Sequence, residues 1–537
     1  MAIRKLLVAN RGEIAVRVFR TCRELGIATV AVAAPDDAGA LHTRVAGETV
    51  PIASYLHSEE HIRAAKQAGA DAIHPGYGFL SENADFAEAV EAAGLVFVGP
   101  SPKALRAGGD KLAAKRAARE AGVPVLDEGE PAELGFPLLV KAAAGGGGRG
   151  MRVVRSAAGL TEALDAARRE AKAAFGDDTV FFERYLERTR HVEIQLLADR
   201  HGTVLALGER DCSIQRRHQK VLEESPSPAV GPELRAAMSG AAVVFARAIA
   251  YESAGTAEFV LDGGAFYFLE LNARIQVEHP VTELVTGVDL VRAQLRIARG
   301  EPLDVDVALH GAAVEVRLYA EDPRTFLPQA GRIERLRLPG SVRVDAGVAE
   351  GDEIGTSYDP MIAKLVAHAP TRDEAFDLLV GALRETEVGG VTTNLPFLRW
   401  LVSHPVVRSG SATTAFLTEH PPLSRPPARP PAAAWAGAWR LNLPVPPPAA
   451  APDVDATTAD HGTPIEQSSV TAPMPGTVLK VLVSAGDRVS ARQPLVVLEA
   501  MKMETPLVSP YDATVRVVHV AEGERVAGGT VLVELEE

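Results

Sequence analysis

Only two cysteines, Cys22 and Cys212, occur in 537 residues, so no disulfide framework can staple the fold, and a reducing compartment is the natural setting. Long apolar runs are missing as well. No stretch approaches the roughly 18 residues that a membrane span needs, and residues 6–9, Leu-Leu-Val-Ala, are too short for a signal peptide. Positive charge is scarce: 56 Lys+Arg against 70 Asp+Glu give a formal net charge of -14. That balance argues against nucleic acid or an anionic membrane as the main partner, while leaving room for local basic sites. The expectation is a soluble, cytoplasmic protein. At roughly 150 residues per domain the length predicts three or four domains, and a hydrophobic fraction of 47% supplies several cores.

Residues 3–10 read as a buried strand, residues 11–25 as an amphipathic helix closed by Gly26, and residues 28–34 as a second strand. This βαβ unit continues through strands at 70–74 and 95–99, which predicts a doubly wound α/β sheet. The first turn lacks the G-x-G-x-x-G of a dinucleotide site. The loop Pro-Gly-Tyr-Gly-Phe-Leu-Ser-Glu-Asn at 75–83 suits either a ligand-facing loop or a structural turn. Lys111 opens a helix through Glu120, at an N-terminus that would welcome phosphate, although a lone lysine there is ordinarily just solvated. Residues 136–141 and 151–154 read as strands flanking a loop that holds four consecutive glycines, Gly145 to Gly148. With Lys141 on the incoming strand and no G-K-[ST], the pattern is that of a flap over nucleotide phosphates, or else of a plain flexible hairpin.

A helix at 160–175 leads to residues 180–186 and to a strand at 191–197. Residues 209–220, Glu-Arg-Asp-Cys-Ser-Ile-Gln-Arg-Arg-His-Gln-Lys, concentrate four cations when His218 is neutral. They read as an anion site or as a basic solvated loop, with Cys212 a partly buried thiol rather than a nucleophile. Next comes the most charge-rich strand end, residues 266–280: Phe-Tyr-Phe-Leu-Glu-Leu-Asn-Ala-Arg-Ile-Gln-Val-Glu-His-Pro. Alternation puts Glu270 and Asn272 on one face with Phe268 beneath them, and Arg274, Gln276 and Glu278 continue the spacing. A hairpin about Asp262-Gly-Gly brings Glu258 beside them. Three oxygen donors suit Mg²⁺ bridging nucleotide phosphates, with a surface salt-bridge network as the alternative.

Composition shifts after Pro421 to a Pro/Ala-rich stretch, a semi-extended linker in which Trp435 and Trp439 stand at helical spacing. The last seventy or so residues repeat internally: 474–489 aligns with 511–526, which predicts a small pseudo-twofold β sandwich. Between the halves stands Glu-Ala-Met-Lys-Met-Glu at 499–504, at a tight turn.

These motifs together carry a resemblance. Asn10-Arg-Gly-Glu13 and residues 74–83, 145–151, 209–220 and 272–280 resemble the motif set of biotin carboxylases in the ATP-grasp superfamily, over roughly residues 1–420. Residues 499–504 resemble the attachment site of biotin carboxyl carrier domains. The resemblance implies an N-terminal doubly wound subdomain at 1–110, an ATP-grasp domain at 111–308 with a mobile lid near 125–185, and an α+β C-terminal subdomain at 309–420. A linker at 421–469 and an all-β biotinyl domain, a flattened sandwich, at 470–537 complete the chain. The chain is shorter than the family pattern between Val123 and Gly135, and Ala144 replaces a further glycine, which stiffens the flap because alanine resists φ > 0.

Roles follow by resemblance. Lys111, Lys141, Gly146, Gly147 and Gly148 hold phosphates, Glu183 and Leu186 lie near the adenine, and His191 and Gln215 lie near the ribose. His218, Gln276 and Val277 complete the cofactor-binding set. Glu258, Glu270 and Asn272 bind Mg²⁺ or Mn²⁺. Lys220 and Arg274 orient bicarbonate, Glu278 is the base that deprotonates it, Arg335 stabilises the biotin enolate, and Lys502 carries biotin covalently. The implied reaction consumes ATP and bicarbonate through carboxyphosphate and yields carboxybiotin. A separate carboxyltransferase β subunit would pass the carboxyl group to acetyl-CoA or propionyl-CoA. A biotin protein ligase as modifying partner and a homo-oligomer within a hetero-oligomeric complex are also implied. The rival readings are an ATP-grasp carboxylate–amine ligase and a non-catalytic biotinylated carrier.

Overall fold

Apolar strand runs separated by amphipathic helices set the first sheet of the computed structural model, which describes residues 2–143, 151–175, 177–216, 219–421, 469–473, 476–500 and 503–536. Its five parallel strands lie in the order Glu48–Pro51, Ala28–Ala33, Lys5–Val8, Ala72–His74, Val96–Phe97. The helix Gly12–Glu24 buries Ile14, Ala15, Val18, Phe19 and Cys22. It ends at Leu25, before Gly26 takes the left-handed φ of 68° that alanine would resist. The strand Glu48–Pro51 escaped the sequence reading. It is an edge strand with one buried residue and a terminal proline, so it carries no alternation to detect.

The second sheet carries the chemistry. Eight antiparallel strands run in the order Ala265–Asn272, Ser253–Asp262, Arg190–Ala198, Val204–Arg216, Gln219–Ser225, Ala312–Tyr319, Met361–Ala369, Arg343–Ala346. The subdomain boundary expected at 308/309 thus falls between strands of one continuous sheet. Helix Pro232–Ala248 covers one face with Met238, Ala242, Phe245 and Ala246. Helix Arg372–Glu385, begun by a Thr371/Glu374 capping box, covers the other end with Ala375, Phe376, Leu379 and Leu383.

The hairpin at Gly263 and Gly264 forms as expected, both glycines having positive φ. Strict alternation along its second strand fails. Glu258 pairs with Glu270, but Phe259 pairs with Phe268, so Leu269 is an extra residue on that strand. This bulge turns Phe268 away from Glu270 and Asn272. Phe268 packs instead against Phe245 and Phe259, at ring distances of 4.5 and 5.9 Å, while Leu269, Glu270 and Asn272 face the cavity.

Residues 209–216 and 219–220 also differ from a solvated loop. They belong to the paired strands Val204–Arg216 and Gln219–Ser225, and Arg210 and Cys212 are fully buried. The expected strands around the glycine loop pair antiparallel, as Leu138–Ala142 with Arg152–Val154, and Val180–Arg184 flanks them. Helix Leu160–Phe175 packs on this small sheet. The C-terminal repeat forms two four-stranded sheets around Val478, Leu498, Val515 and Leu535. Within one of them, Pro494–Ala500 pairs with Met503–Val508 up to Ala500 opposite Met503. Gly146, Gly147, Gly148, His218, Lys502, Trp435 and Trp439 lie outside the described residues. Among the described residues no helix is long and apolar enough to cross a membrane.

Because the bulge makes Phe268 the packing anchor beneath the site strand, Phe268→Ala is expected to cost about 3–5 kcal/mol. Chemical unfolding followed by tryptophan-free probes such as far-UV circular dichroism would show it as a lowered midpoint.

Candidate functional site

One cavity of about 1150 Å³ opens between the five-stranded and eight-stranded sheets, with the small flap sheet along its rim. That volume accommodates a nucleotide with room to spare. At its floor, neighbouring strands deliver charged side chains at residues that face the same side. Lys220 donates to Glu193 at 2.5 Å, to Glu258 at 2.9 Å and to Glu278 at 2.7 Å. Arg210, with no exposed surface, bonds Glu193 at 2.6 Å, Gln195 at 2.7 Å and Thr282 at 2.8 Å. Arg317 bonds the second oxygen of Glu278 at 3.0 Å and ion-pairs with Glu223.

These contacts set the protonation states. Burial alone would push Glu278 up, but Lys220, Arg317 and Arg210 outweigh it and hold the carboxylate well below its usual range. Glu258 is likewise held low against burial by Lys220 and His191. Burial would lower Lys220, yet Glu193, Glu258 and Glu278 raise it and keep it an ammonium. The base predicted from sequence is therefore ionised, and its neighbouring cations are fixed.

The strand end brings the expected oxygen donors together. Glu258 stands opposite Glu270 in register, and Asn272 donates to Glu258 at 2.8 Å. Arg274 bonds Asn272 at 2.8 Å, Gln276 at 2.7 Å and Glu82 at 2.9 Å. Gln276 reaches Glu258 at 3.3 Å. Val277 contributes its carbonyl, which accepts from Lys364 at 2.8 Å, and so fixes the loop just before Glu278. An oxygen-only donor set on Glu258, Glu270 and Asn272 fits a hard divalent cation. Two groups of titratable side chains, His191–Glu193–Glu258 and Glu193–Cys212–Glu278, bring ligand atoms within 4.8 Å of one another. Lys220 already supplies a cation to carboxylates of both.

At the opposite end, Lys111 ion-pairs with Glu270 at 3.3 Å. Lys141 bonds Glu183 at 3.2 Å, and Lys115 contacts both Glu183 and Glu128. Burial, then Lys115 and Lys111, push Lys141 down to about 7. Leu186 lines the cavity beside them. His191 points at Glu258, 3.1 Å away, and is raised by it against burial. Gln215 donates to the Cys212 carbonyl at 2.9 Å. Arg335 is not gathered into the cluster. It is 66% exposed and pairs with Glu387 at 2.7 Å.

Several participants escaped the sequence reading: Glu193, Glu223, Arg317 and Lys364, while Arg210 was counted only among the cations of residues 209–220. The signal was present in residues 312–319, Ala-Ala-Val-Glu-Val-Arg-Leu-Tyr, where Glu315 and Arg317 share one face of an otherwise apolar strand. It is the same pattern that singled out Glu270 and Asn272.

Four family models match the chain. Residues 2–105 match the family described as Biotin carboxylase, N-terminal domain, and residues 110–306 match Carbamoyl-phosphate synthase L chain, ATP binding domain. Residues 315–419 match Biotin carboxylase C-terminal domain, and residues 468–535 match Biotin-requiring enzyme. The chain is 49% identical over 441 residues to the biotin carboxylase of Halalkalibacterium halodurans, covering 78% of this chain and 98% of that one. It is 48% identical over 463 residues to the propionyl-CoA carboxylase alpha chain of Ruegeria pomeroyi, covering 78% and 68%. A crystal structure of the biotin carboxylase domain dimer of Hydrogenobacter thermophilus 2-oxoglutarate carboxylase, in complex with MgADP, ADP and bicarbonate, superposes with a TM-score of 0.77 at 44% identity. It covers 78% of this chain and 98% of that one. The chain thus belongs to the biotin carboxylase family, as a biotin-dependent, ATP-driven carboxylase with a biotin-requiring domain at its C-terminal end.

Proposed function

We propose that this chain carboxylates a biotin on Lys502 of its own C-terminal domain, using ATP and bicarbonate through carboxyphosphate, and supplies a separate carboxyltransferase subunit acting on a short-chain acyl-CoA. The observation that carries the chemical half is the ionised Glu278, gripped by Lys220 and Arg317 beside Arg274 on the cavity floor. Bicarbonate bound between Lys220 and Arg274 presents its hydroxyl to Glu278, which accepts the proton. The resulting oxyanion attacks the γ-phosphoryl group of ATP, forming carboxyphosphate as the bond to the β-phosphate oxygen breaks and ADP leaves. Lys111 and Lys141 steady the phosphates, and Lys220 and Arg274 offset the charge that develops. Glu258, Glu270 and Asn272 would hold Mg²⁺ or Mn²⁺, which when bound neutralises phosphate oxygens. His191, turned onto Glu258, orients that carboxylate. The exposed Arg335, paired with Glu387 on the surface, leaves stabilisation of the biotin enolate to the buried cations.

The acyl-CoA acceptor and the second subunit are read from relatives called propionyl-CoA carboxylase alpha chain and, at 47% identity, methylcrotonoyl-CoA carboxylase subunit alpha of Oryza sativa, of which the chain covers 60%. Propionyl-CoA or acetyl-CoA fits the acceptor class proposed here. A biotin protein ligase would load Lys502, and a homodimer is proposed by analogy with the dimeric relative.

Purified chain should hydrolyse ATP in a bicarbonate-dependent reaction stimulated by free biotin, and Glu278→Gln should lower that turnover about 10²- to 10⁴-fold. Turnover indifferent to both biotin and bicarbonate would overturn the reading in favour of a carboxylate–amine ligase. The lowered Lys141 gives a second test. With a value of about 7 in the free protein, Lys141 is mostly neutral near pH 8, and incoming phosphates raise it. ATP binding there should take up a fraction of a proton, seen as a buffer-dependent enthalpy in titration calorimetry. The uptake should shrink below pH 6, where Lys141 is already charged, and vanish in Lys141→Gln.

A further inference from the structure

Behind Glu278 the sheet holds a pair of carboxyl groups that the proposed chemistry does not use. Glu223 and Glu315 stand directly opposite each other on antiparallel strands, and neither has any exposed surface. Directly opposed like charges destabilise a strand pair, and an uncompensated buried carboxylate is costlier still. Glu223 has a cation, Arg317. Glu315 has none: among the described residues neither of its oxygens meets a hydrogen-bond donor or an ion-pair partner.

The surrounding charges are already matched. From the same strand Arg317 serves Glu223 and Glu278. From Gln219–Ser225, Lys220 serves Glu193, Glu258 and Glu278. From Met361–Ala369, Lys364 serves Glu13 at 2.8 Å and the Val277 carbonyl. From Val204–Arg216, Arg210 serves Glu193, and Cys212 is a buried thiol pushed well up by desolvation. Helix His279–Thr286, packed on the same strands, contributes His279, held neutral by burial, and Glu283, which pairs with Arg17 and Arg343. Glu315 is the carboxyl left outside this matching. Burial pushes it well above the usual range and pushes Glu223 to about 7.

We propose that Glu315 is kept as the neutral carboxylic acid, sharing its proton with Glu223 across the strand pair, and that this pair positions Arg317 against the Glu278 carboxylate. The inference rests on the reading of Glu278 as the base. With one proton between them, the pair carries a single negative charge, which matches Arg317 and leaves its remaining hydrogen-bonding capacity for Glu278. Ionising Glu315 would place a second charge beside Glu223 and draw Arg317 back from the base. A carboxyl whose folded value is raised is protonated at low pH and loses its proton as pH rises through that value, so the positioning fails on the alkaline side.

The full-length chain provides the test. An infrared difference spectrum of wild type minus Glu315→Gln near neutral pH should contain the C=O stretch of a protonated carboxyl group, a readout that needs no catalysis. In bicarbonate-dependent ATP turnover, Glu315→Ala should lower kcat about tenfold to a hundredfold with KM for ATP little changed. Glu315→Gln, which keeps the neutral shape and a donor, should restore kcat to within about twofold and abolish the alkaline fall. The absence of a protonated-carboxyl band, or a Glu315→Gln pH profile that superposes on wild type, would overturn the proposal. Should Glu315→Ala not fold, the spectrum and the Gln profile still decide. A persistent band together with an active Glu278→Gln would instead locate the failure in the assignment of the base.

Discussion

The site depends on one ammonium group holding three carboxylates out of water. Taking such ions from solvent costs several kcal/mol each, and the Coulombic return covers that cost only when every partner is met in good geometry. Lys220 meets Glu193, Glu258 and Glu278 within 2.9 Å, and their side chains are between 0 and 9% exposed. One lysine cannot balance three carboxylates. Arg210, Arg317 and His191 supply the rest, facing Glu193, Glu223, Glu278 and Glu258. Removing any cation strands a buried anion, so the network is closely coupled, and its order is what keeps Glu278 ionised and aimed.

That coupling explains why distant segments converge. Glu278 follows Val277, whose carbonyl is pinned by Lys364. Lys364 also pairs with Glu13, at the start of the first helix, and Tyr77 donates to the same carboxylate at 2.5 Å. Arg17 of that helix reaches Glu283 and Asp289. The position of Glu278 is therefore set jointly by the parallel sheet, the eight-stranded sheet and the loop at 75–83. A continuous sheet across residue 308 serves this purpose, because strands on both sides of it must hold Arg317 and Lys220 a few ångströms from one carboxylate.

Much of this was legible in the residues. The βαβ beginning, the helix at 160–175, the Gly-Gly hairpin and the two-sheet repeat all follow local patterning, and local patterning decided them. Glu258, Glu270, Asn272, Arg274 and Glu278 were legible because hard donors crowd one strand end. The failures have specific causes. A bulge at Leu269 breaks period-two counting, so Phe268 lies on the opposite face from the one alternation assigns. Glu193, Arg210 and Arg317 lie on separate strands, and only strand pairing brings them together. Arg335 shows the converse: a motif position places a residue in the chain, while its ion pair with Glu387 decides where the guanidinium points.

The two ends of the cavity treat their lysines in opposite ways, and that contrast orders the events. Lys220 is surrounded by carboxylates and stays charged whatever is bound. Burial, then Lys115 and Lys111, push the buried Lys141 down to about 7 and make it reluctant to hold its proton. The floor is thus preorganised, its charges matched before any substrate arrives, and under the proposed function it would need no reorganisation for bicarbonate to give up its proton. At the rim Lys111 pairs with Glu270, Lys141 with Glu183, and Lys115 with Glu183 and Glu128, so the group an incoming polyanion would change is the half-neutral Lys141. Under the proposed function nucleotide phosphates would restore the Lys141 charge at the rim, whereas the small anion would enter a floor whose charges are already matched. On that reading the protonation of Lys141 changes as ATP binds, while the geometry around Glu278 need not wait on the nucleotide.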